Sequence, residues 1–279
     1  MLTLYRTEKP TIVPADTLEA GVWACLTAPA NEELAYVADT LGIDFDDLIA
    51  ATDPEERARV QVEVGYSLVI FDVPIAEVRN DVETHTTIPL GVILTNDCVV
   101  TVCSAEAPVL ELLVKGRMRD LDTAKPINFL YHVLYQNALM FQRALSAINW
   151  RRIRFEERIG SPASEANLIG MHELESTLVY LSTSLRGNAN MLRRVDRSAR
   201  IRGTEEDEEL LGDAIIENQQ AIEMAQIYHD IIDGTRELFS QVMEARLNTV
   251  MRRLTSITLI LSIPTVIGAP GSGDTSISL

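Results

Sequence analysis

The chain is poor in cysteine, in basic side chains and, over its second half, in proline, and each scarcity removes a class of function. Only three cysteines occur, Cys25, Cys98 and Cys103. The number is odd and no pair has metal-ligand spacing, so they read as reduced thiols of a cytosolic protein, buried in strands. Lys and Arg total 24 against 41 Asp and Glu, a net charge of −17. So negative a surface argues against nucleic-acid binding, which needs cationic contacts to phosphate. It keeps a body soluble and also draws cations toward it. No signal peptide opens the chain, because Arg6, Glu8 and Lys9 precede any long apolar run.

The groups that enzymes use are missing as well. His85, His132, His172 and His229 are scattered, and His172-Glu173-Leu174-Glu175 lacks the second histidine that a metalloprotease helix carries four residues on. There is no phosphate-cradling glycine loop, nucleophile elbow or cysteine cluster. His229 and Asp233 lie one helical turn apart and could share a metal, although solvated surface pairs of this kind are commoner. The chain is not expected to be an enzyme, and no catalytic residue is assigned.

What is present divides the chain in two. Residues 1–115 mix strands and short helices. Residues 21–26 are strand-like, 29–42 open and close as a helix with Gly42 as its stop, and Asp44 and Asp47 open a short one. Residues 53–57 mark a turn. A strand over 66–73 is expected to end at Pro74, and Asn96-Asp97 joins two further strands as a hairpin. From Pro126, a good first helical residue, helices are predicted to about 159 and, after the Gly160-Ser161-Pro162 break, over 164–201. A third runs uninterrupted over about 204–268. Pro162 is the sole proline between Pro126 and Pro264, as long helices require.

The third helix organises the rest. Thr204 and Asp207 read as a capping box, and Glu205, Glu206, Glu208 and Glu209 crowd the positive end of the helix dipole. At ~1.5 Å per residue it reaches on the order of 90 Å. Leu210, Ala214, Glu217, Ala221, Met224, Tyr228, Ile231, Thr235, Leu238, Val242 and Ala245 form a heptad seam with Glu217 as its one charged member. A second row, Leu211, Ile215, Ile222, Ala225 and Ile232, widens the apolar face. The helix then enters an uncharged stretch, 254–268, behind Arg252 and Arg253. This is a membrane candidate slightly short of the ~20 residues a spanning helix needs. The flanking arginines place residues 1–253 in the cytoplasm and the protein at the cell membrane. Residues 269–279 abandon the pattern, as a scar or frameshift would.

Two constellations carry chemistry. Asp213 and Glu217 lie four apart on the acidic part of the helix. If several copies meet there, converging carboxylates bind a cation or take up protons; alternatively both are ordinary acidic surface. Asn248, Met251, Thr255, Thr258, Ser262 and Thr265 recur in steps of three and four, a stripe that turns from lipid toward neighbouring helices or a water-filled pore.

The run Asn248-x-Val250-Met251-Arg252-x-Leu254-Thr255, followed by the Ile/Leu stretch and Pro264-Thr265, resembles the first membrane helix of the CorA family of divalent-cation transporters. Glu217-Asn218-x-Gln220-Ala221-Ile222-Glu223-Met224 and Gly234 resemble that family's stalk. Trp23, Pro29, Glu33-Leu34, Leu41-Gly42 and Asp53-Pro54-Glu55-Glu56-Arg57 resemble its N-terminal domain. The resemblance covers about residues 1–268. It implies a homopentameric magnesium/cobalt channel with a cytoplasmic α/β funnel, a stalk helix entering the membrane and long helices between. Its segments here are 1–115 (α/β), 116–203 (helical hairpin), 204–253 (stalk) and 254–268 (partial membrane helix). By matched position Asn248, Met251 and Leu254 line the inner pore, with Thr255, Thr258 and Ser262 above them. Asp213, with Glu217, falls at a regulatory site whose bound Mg2+ holds the channel closed. The family's Gly-Met-Asn motif, outer loop, second membrane helix and basic C-terminal end have no counterpart here. The rival expectations are a soluble oligomerising cation sensor and a zinc-transporting relative.

Overall fold

The first half of the chain folds as β1 (Leu2–Glu8), β2 (Thr11–Pro14), β3 (Val22–Thr27), α1 (Asn31–Leu41), α2 (Phe45–Ala50), β4 (Arg59–Val62), β5 (Tyr66–Arg79), β6 (Val82–Thr95), β7 (Val99–Cys103) and α3 (Pro108–Lys115). Three long helices follow, α4 (Pro126–Glu156), α5 (Ser164–Arg197) and α6 (Glu205–Ile267). The computed structural model describes residues 1–9, 11–79, 82–116, 120–157 and 164–267, with 79, 82–83, 164–168 and 261–267 described as backbone alone. The expected Gly160-Ser161-Pro162 break and the 269–279 tail lie outside the described residues.

The strands make one sheet in the order β2-β1-β3-β7-β6-β5-β4. β3 and β7 pair in parallel, and every other neighbouring pair is antiparallel. Alternate residues of β5 serve opposite faces, as a two-residue period dictates. Leu68 and Ile70 join Leu26, Ile93 and Val102 in a core beneath α1 and α2. Val69, Phe71 and Val73 join Trp23, Leu90, Val99 and residues of α3, α4, α5 and α6 on the other side. Burial on both faces is why this stretch reads as a continuous apolar run rather than an alternation. Trp23 is fully enclosed, and its indole N–H donates to the Thr101 hydroxyl at 2.8 Å.

Local signals behave as their physics requires. Gly42 closes α1 at φ 65°, a left-handed conformation open to glycine without strain. Asp44 caps α2 by accepting from the Asp46 N–H at 2.9 Å. Pro126 opens α4 at its first turn, and Asn96-Asp97 turns β6 into β7, closed by Thr95 N–H to Cys98 C=O at 3.0 Å. α5 ends at Arg197, four residues before the expected 201. All three cysteines are free and buried.

Pro74 does not end its strand. β5 continues to Arg79, paired with β6 throughout. The reason lies at the sheet edge. β4 flanks only Ser67–Ile70 of β5, so beyond Ile70 one side of the strand is open. Asp72 turns its N–H and C=O to that side. Its N–H donates to Asn188 Oδ1 at 2.9 Å, and its C=O accepts from Asn188 Nδ2 and Asn137 Nδ2, each at 2.9 Å. Two residues on, Pro74 has its nitrogen on the same open side and removes no ladder bond. Pro89, opposite Asp72, is tolerated by the same parity. The side-chain amides of α4 and α5 thus stand in for the missing neighbouring strand.

Asn188, only 2% exposed, is therefore a structural linchpin. Asn188→Ala leaves the Asp72 N–H buried without a partner and weakens its carbonyl bonding, which costs about 2–3 kcal/mol. Urea unfolding should show the lowered midpoint, and an unchanged midpoint would refute the account.

Candidate cation site and ion path

The first turn of α6 is built into the body. Thr204 and Asp207 exchange bonds: the Thr204 N–H donates to Asp207 Oδ2 at 2.9 Å, and the Asp207 N–H to Thr204 Oγ1 at 3.3 Å, as a capping box does. A side chain at Gly203 would bring its Cβ to 2.5 Å from the Asp207 Cβ, so the approach to the cap admits only glycine. Asn128 Nδ2 of α4 donates to Asp207 Oδ1 at 2.8 Å, and the Tyr131 hydroxyl to the Ile201 C=O at 2.6 Å. Burial alone would push the Asp207 carboxyl up. The bonds from Asn128 and Thr204, with Lys125 nearby, outweigh it and hold the carboxyl below its ordinary 3.8.

Along α6 the buried positions are Asp207, Leu211, Ala214, Asn218, Ala221, Ala225, Ile232, Thr235 and Phe239. With half-buried Tyr228 they step by four and three from end to end. The helix does carry a heptad seam, turned by about one residue from the expected one. Asn218, not Glu217, is its central polar member, and its Nδ2 donates to the Leu185 C=O of α5 at 3.2 Å. Ile231 and Leu238, expected in the seam, are exposed. The seam is set by what α4 and α5 offer: Phe141, Leu145, Ile148, Leu174, Leu178, Leu181 and Leu185 form the facing core.

Asp213 lies on the exposed side of α6. Glu217, one turn on, is half-buried, and Gln142 Nε2 of α4 donates to both its Oε2 at 2.6 Å and its C=O at 3.0 Å. The two carboxylates therefore differ: one is engaged within the chain, the other faces outward. Among the described residues no group of three or more His, Cys, Asp or Glu could hold a metal. A cation at Asp213 would need further ligands from another chain or from water.

Past Phe239 the helix leaves the body. Val242 is half-buried, and every other residue over 240–260 is exposed. At ~1.5 Å per residue the free portion to Ile267 is roughly 40 Å long. The expected path residues Asn248, Met251, Leu254, Thr255 and Thr258 all lie on it, exposed and with no described helix packed against them. The Thr255 and Thr258 hydroxyls donate to the Met251 and Leu254 carbonyls, each at 2.8 Å. The donors are thereby satisfied within the helix, while an oxygen lone pair stays free on its surface. The side chain of Ser262 lies outside the described residues. Among those residues no helix is long and apolar enough to cross a membrane.

His229 and Asp233 do come together, at 3.6 Å, but Arg236 already faces Asp233 at 3.5 Å. Arg236 also reaches across to Glu175 of α5 at 2.8 Å, and His172 lies 3.6 Å from the same carboxylate. This is a chain of polar contacts centred on Arg236 that ties α5 to α6 where their contact ends. Neither Gln142 nor Glu175 was marked by any sequence signal, since their partners lie 75 and 61 residues away.

Because the Asp207 carboxyl is held low, the stability it adds is present in full above pH 3.8 and is lost as pH falls through its lower folded value. Urea unfolding followed between pH 2.5 and 6 (a range of about three and a half units, chosen to bracket the shift) should show Asp207→Asn flattening the acid limb of the wild-type curve. Identical limbs would remove Asp207 from that role.

Comparison with known proteins places this geometry. The family described as CorA-like Mg2+ transporter protein matches residues 19–269. A cobalt/magnesium transport protein CorA of Methanocaldococcus jannaschii is 26% identical over 252 residues, covering 87% of this chain and 76% of that protein. The complete structure of the CorA magnesium transporter from the same organism superposes with a TM-score of 0.82 at 21% identity, over 100% of this chain and 88% of that one. The soluble domain of CorA from Methanocaldococcus jannaschii gives 0.76 at 22% identity, over 87% and 97%. At such identities the superpositions speak for the fold: an α/β domain followed by long helices.

Proposed function

The chain belongs to the CorA-like Mg2+ transporter family, and on that premise we propose that it is the cytoplasmic gating portion and the start of the ion path of a homopentameric magnesium/cobalt channel. The family is one of transporters, not enzymes. The observation that carries the reading is α6 itself. It is a 63-residue helix, clamped to the body by its first half and bare over the rest, with apolar residues exposed on all sides from Met243 to Ile260. A lone helix does not leave so much apolar surface in water; copies of the helix and a bilayer are what would cover it.

In this reading residues 1–203 form the funnel wall, 204–253 the stalk and 254–268 the beginning of the membrane helix. Arg252 and Arg253 sit at the cytoplasmic boundary, on the side where basic residues accumulate. Asn248, Met251, Leu254, Thr255 and Thr258 face the central axis. Their exposure on the bare part of α6, and the free lone pairs of Thr255 and Thr258, support that placement.

Asp213 is the regulatory carboxylate. It points outward and needs ligands from beyond its own chain, so a hard cation there ties neighbouring stalks together and offsets the repulsion of a strongly acidic body. Glu217 shapes the field beside it while remaining tied to Gln142. When cytoplasmic Mg2+ falls, the bridges are lost and the stalks separate, a shift governed by the difference in cation affinity between the two arrangements.

The test has two arms. The protein extended through any further membrane segment should admit Mg2+ and Co2+ down a gradient in liposomes; Zn2+ flux alone would favour a zinc-transporting relative, and no divalent flux would favour the sensor. Separately, Mg2+ should protect α6 from protease, and Asp213→Ala should raise the Mg2+ needed for half-protection about tenfold. Unchanged protection moves the regulatory site elsewhere.

A further inference from the structure

α4 starts without the anionic group that a helix N-terminus favours. Lys125 holds its N-cap position, no side chain caps it, and no acidic residue occurs in its first turn. Pro126 has no N–H, so the first amides able to donate are those of Ile127 and Asn128, and neither meets an acceptor among the described residues. The start of α6 is the opposite case, with Glu205, Glu206, Asp207 and Glu208 in its first turn. A helix of 31 residues therefore directs the positive end of its dipole and two free N–H groups at a point that no carboxylate of its own first turn answers.

A cavity of about 210 Å³ lies at this point, between the head of α4, one end of the β5–β6 pair and the segment joining α5 to α6. Ile127 lines it from the helix, and Ser67, Thr95, Asn96 and Arg200 give it polar walls. Ser67 is only 3% exposed. By strand parity with Val69 and Phe71 it lies on the face of β5 that α4 covers. Its hydroxyl has no hydrogen-bond partner among the described residues, and a buried polar group left open toward a cavity calls for a ligand or a water there. Arg200 is exposed and forms no ion pair with a described residue. No carboxylate lines this cavity, although the chain carries 41 Asp and Glu. The cavities beside α3, between β6 and α5, and between α5 and α6 each include at least one. Of the acidic residues nearest in sequence, Asp97 does not line it, and Glu63 accepts from Gln61 Nε2 at 2.8 Å.

We propose that this cavity binds a phosphoryl group, held by the Ile127 and Asn128 amides, the Ser67 hydroxyl and the Arg200 guanidinium, with Lys125 as a further positive charge beside it. Every one of these groups donates, and a phosphate presents acceptor oxygens in several directions at once. Helix N-termini bind such anions because amides and dipole act together. A guanidinium fork adds charge-assisted bonds of matching geometry. The Ser67 hydroxyl gains the acceptor it lacks, which offsets the cost of its burial. Free phosphate and the phosphate of a nucleotide share this chemistry, and the apolar part of the lining, Tyr66, Leu94 and Pro126, leaves either admissible. The site adjoins the cap of α6, since Asn128 offers its amide here while its Nδ2 donates to Asp207 Oδ1 at 2.8 Å. An oxyanion and a divalent cation would then act on the same long helix from two places, its capped start and the exposed carboxylate of Asp213.

The experiment is a calorimetric titration of the whole chain with inorganic phosphate, repeated with ADP, at low ionic strength and without divalent cations. One equivalent of phosphate should bind saturably. Arg200→Ala should weaken binding about tenfold and Ser67→Ala about fivefold. Arg194→Ala removes an exposed arginine outside the cavity and should leave binding unchanged. ADP binding more tightly than phosphate supports the proposal with a nucleotide as the source, and ADP binding no more tightly supports it with free phosphate. No saturable binding of either probe to the wild-type protein overturns the proposal without recourse to any variant. So does a loss in Arg194→Ala equal to that in Arg200→Ala, which is the mark of diffuse attraction to arginine. Mg2+ flux and Mg2+ protection of α6 do not enter these readouts, so failure here and failure of the channel reading are separable.

Discussion

The packing of α6 against α4 and α5 is the contact on which the remaining structure depends. Its buried positions are small or polar where the helices come nearest: Ala214, Ala221 and Ala225 are at most 1% exposed, with Asn218 between them. Alanine lets helix backbones approach without losing side-chain entropy, but each one buries little apolar area. The larger anchors stand at the ends, Leu211 near the sheet and Ile232 and Phe239 near the exit. A clamp of this composition fixes direction well and holds with modest energy along its middle. It suits a helix that must be aimed and must also shift.

The clamp transmits to the sheet through the apolar core that α4, α5 and α6 share with it, and also through polar contacts. Asn137 and Asn188 bond the open edge of β5 at Asp72, and the Ser184 hydroxyl meets Thr87 of β6 at 2.8 Å. α4 and α5 thereby close the sheet on the side where β4 is too short to do so. An edge capped by side-chain amides cannot pair with another chain's strand, which protects a long two-stranded ribbon from aggregation. The same amides lock helix rotation to the sheet, because hydrogen bonds tolerate less displacement than apolar contacts.

Much of this was legible in the residues, for reasons that can be named. α6 announced itself through an acidic capping box, a heptad pattern and the absence of proline; Gly42 and Pro126 marked boundaries by backbone geometry alone. Those signals are local, and local physics decides them. The continuation of β5 through Pro74 was not legible, because whether proline costs a ladder bond depends on which neighbour lies beside it. The seam was legible in period and wrong in phase by about one residue. Two apolar rows lie side by side on α6, and only the facing helices choose between them. At the candidate cation site the types and spacing of Asp213 and Glu217 were readable, but the hydrogen bond from Gln142 that distinguishes them comes from a residue far away in sequence.

The proposed gating follows from lever geometry. From Asp213 to Leu254 the helix rises roughly 60 Å at 1.5 Å per residue. A tilt of about 5° at the level of Asp213 then moves the far end by roughly 5 Å, comparable with known helix displacements in switching proteins. Stiffness matters as much as length, and α6 contains no proline before Pro264 and no break over 205–267. The pivot has to lie where the clamp is weakest, among Ala214, Ala221 and Ala225, a stretch that contains Glu217 and adjoins Asp213. The Asp207 cap below and the Arg236–Glu175 ion pair above hold the clamp at its two ends. In the proposed gating, a cation that draws neighbouring stalks together at Asp213 would act at that pivot, on the side of the helix that α4 and α5 leave uncovered. With the charge at the exposed carboxylate, and the half-buried one retained by Gln142, the proposed cation would act on the angle between subunits without disturbing the fold of any one of them.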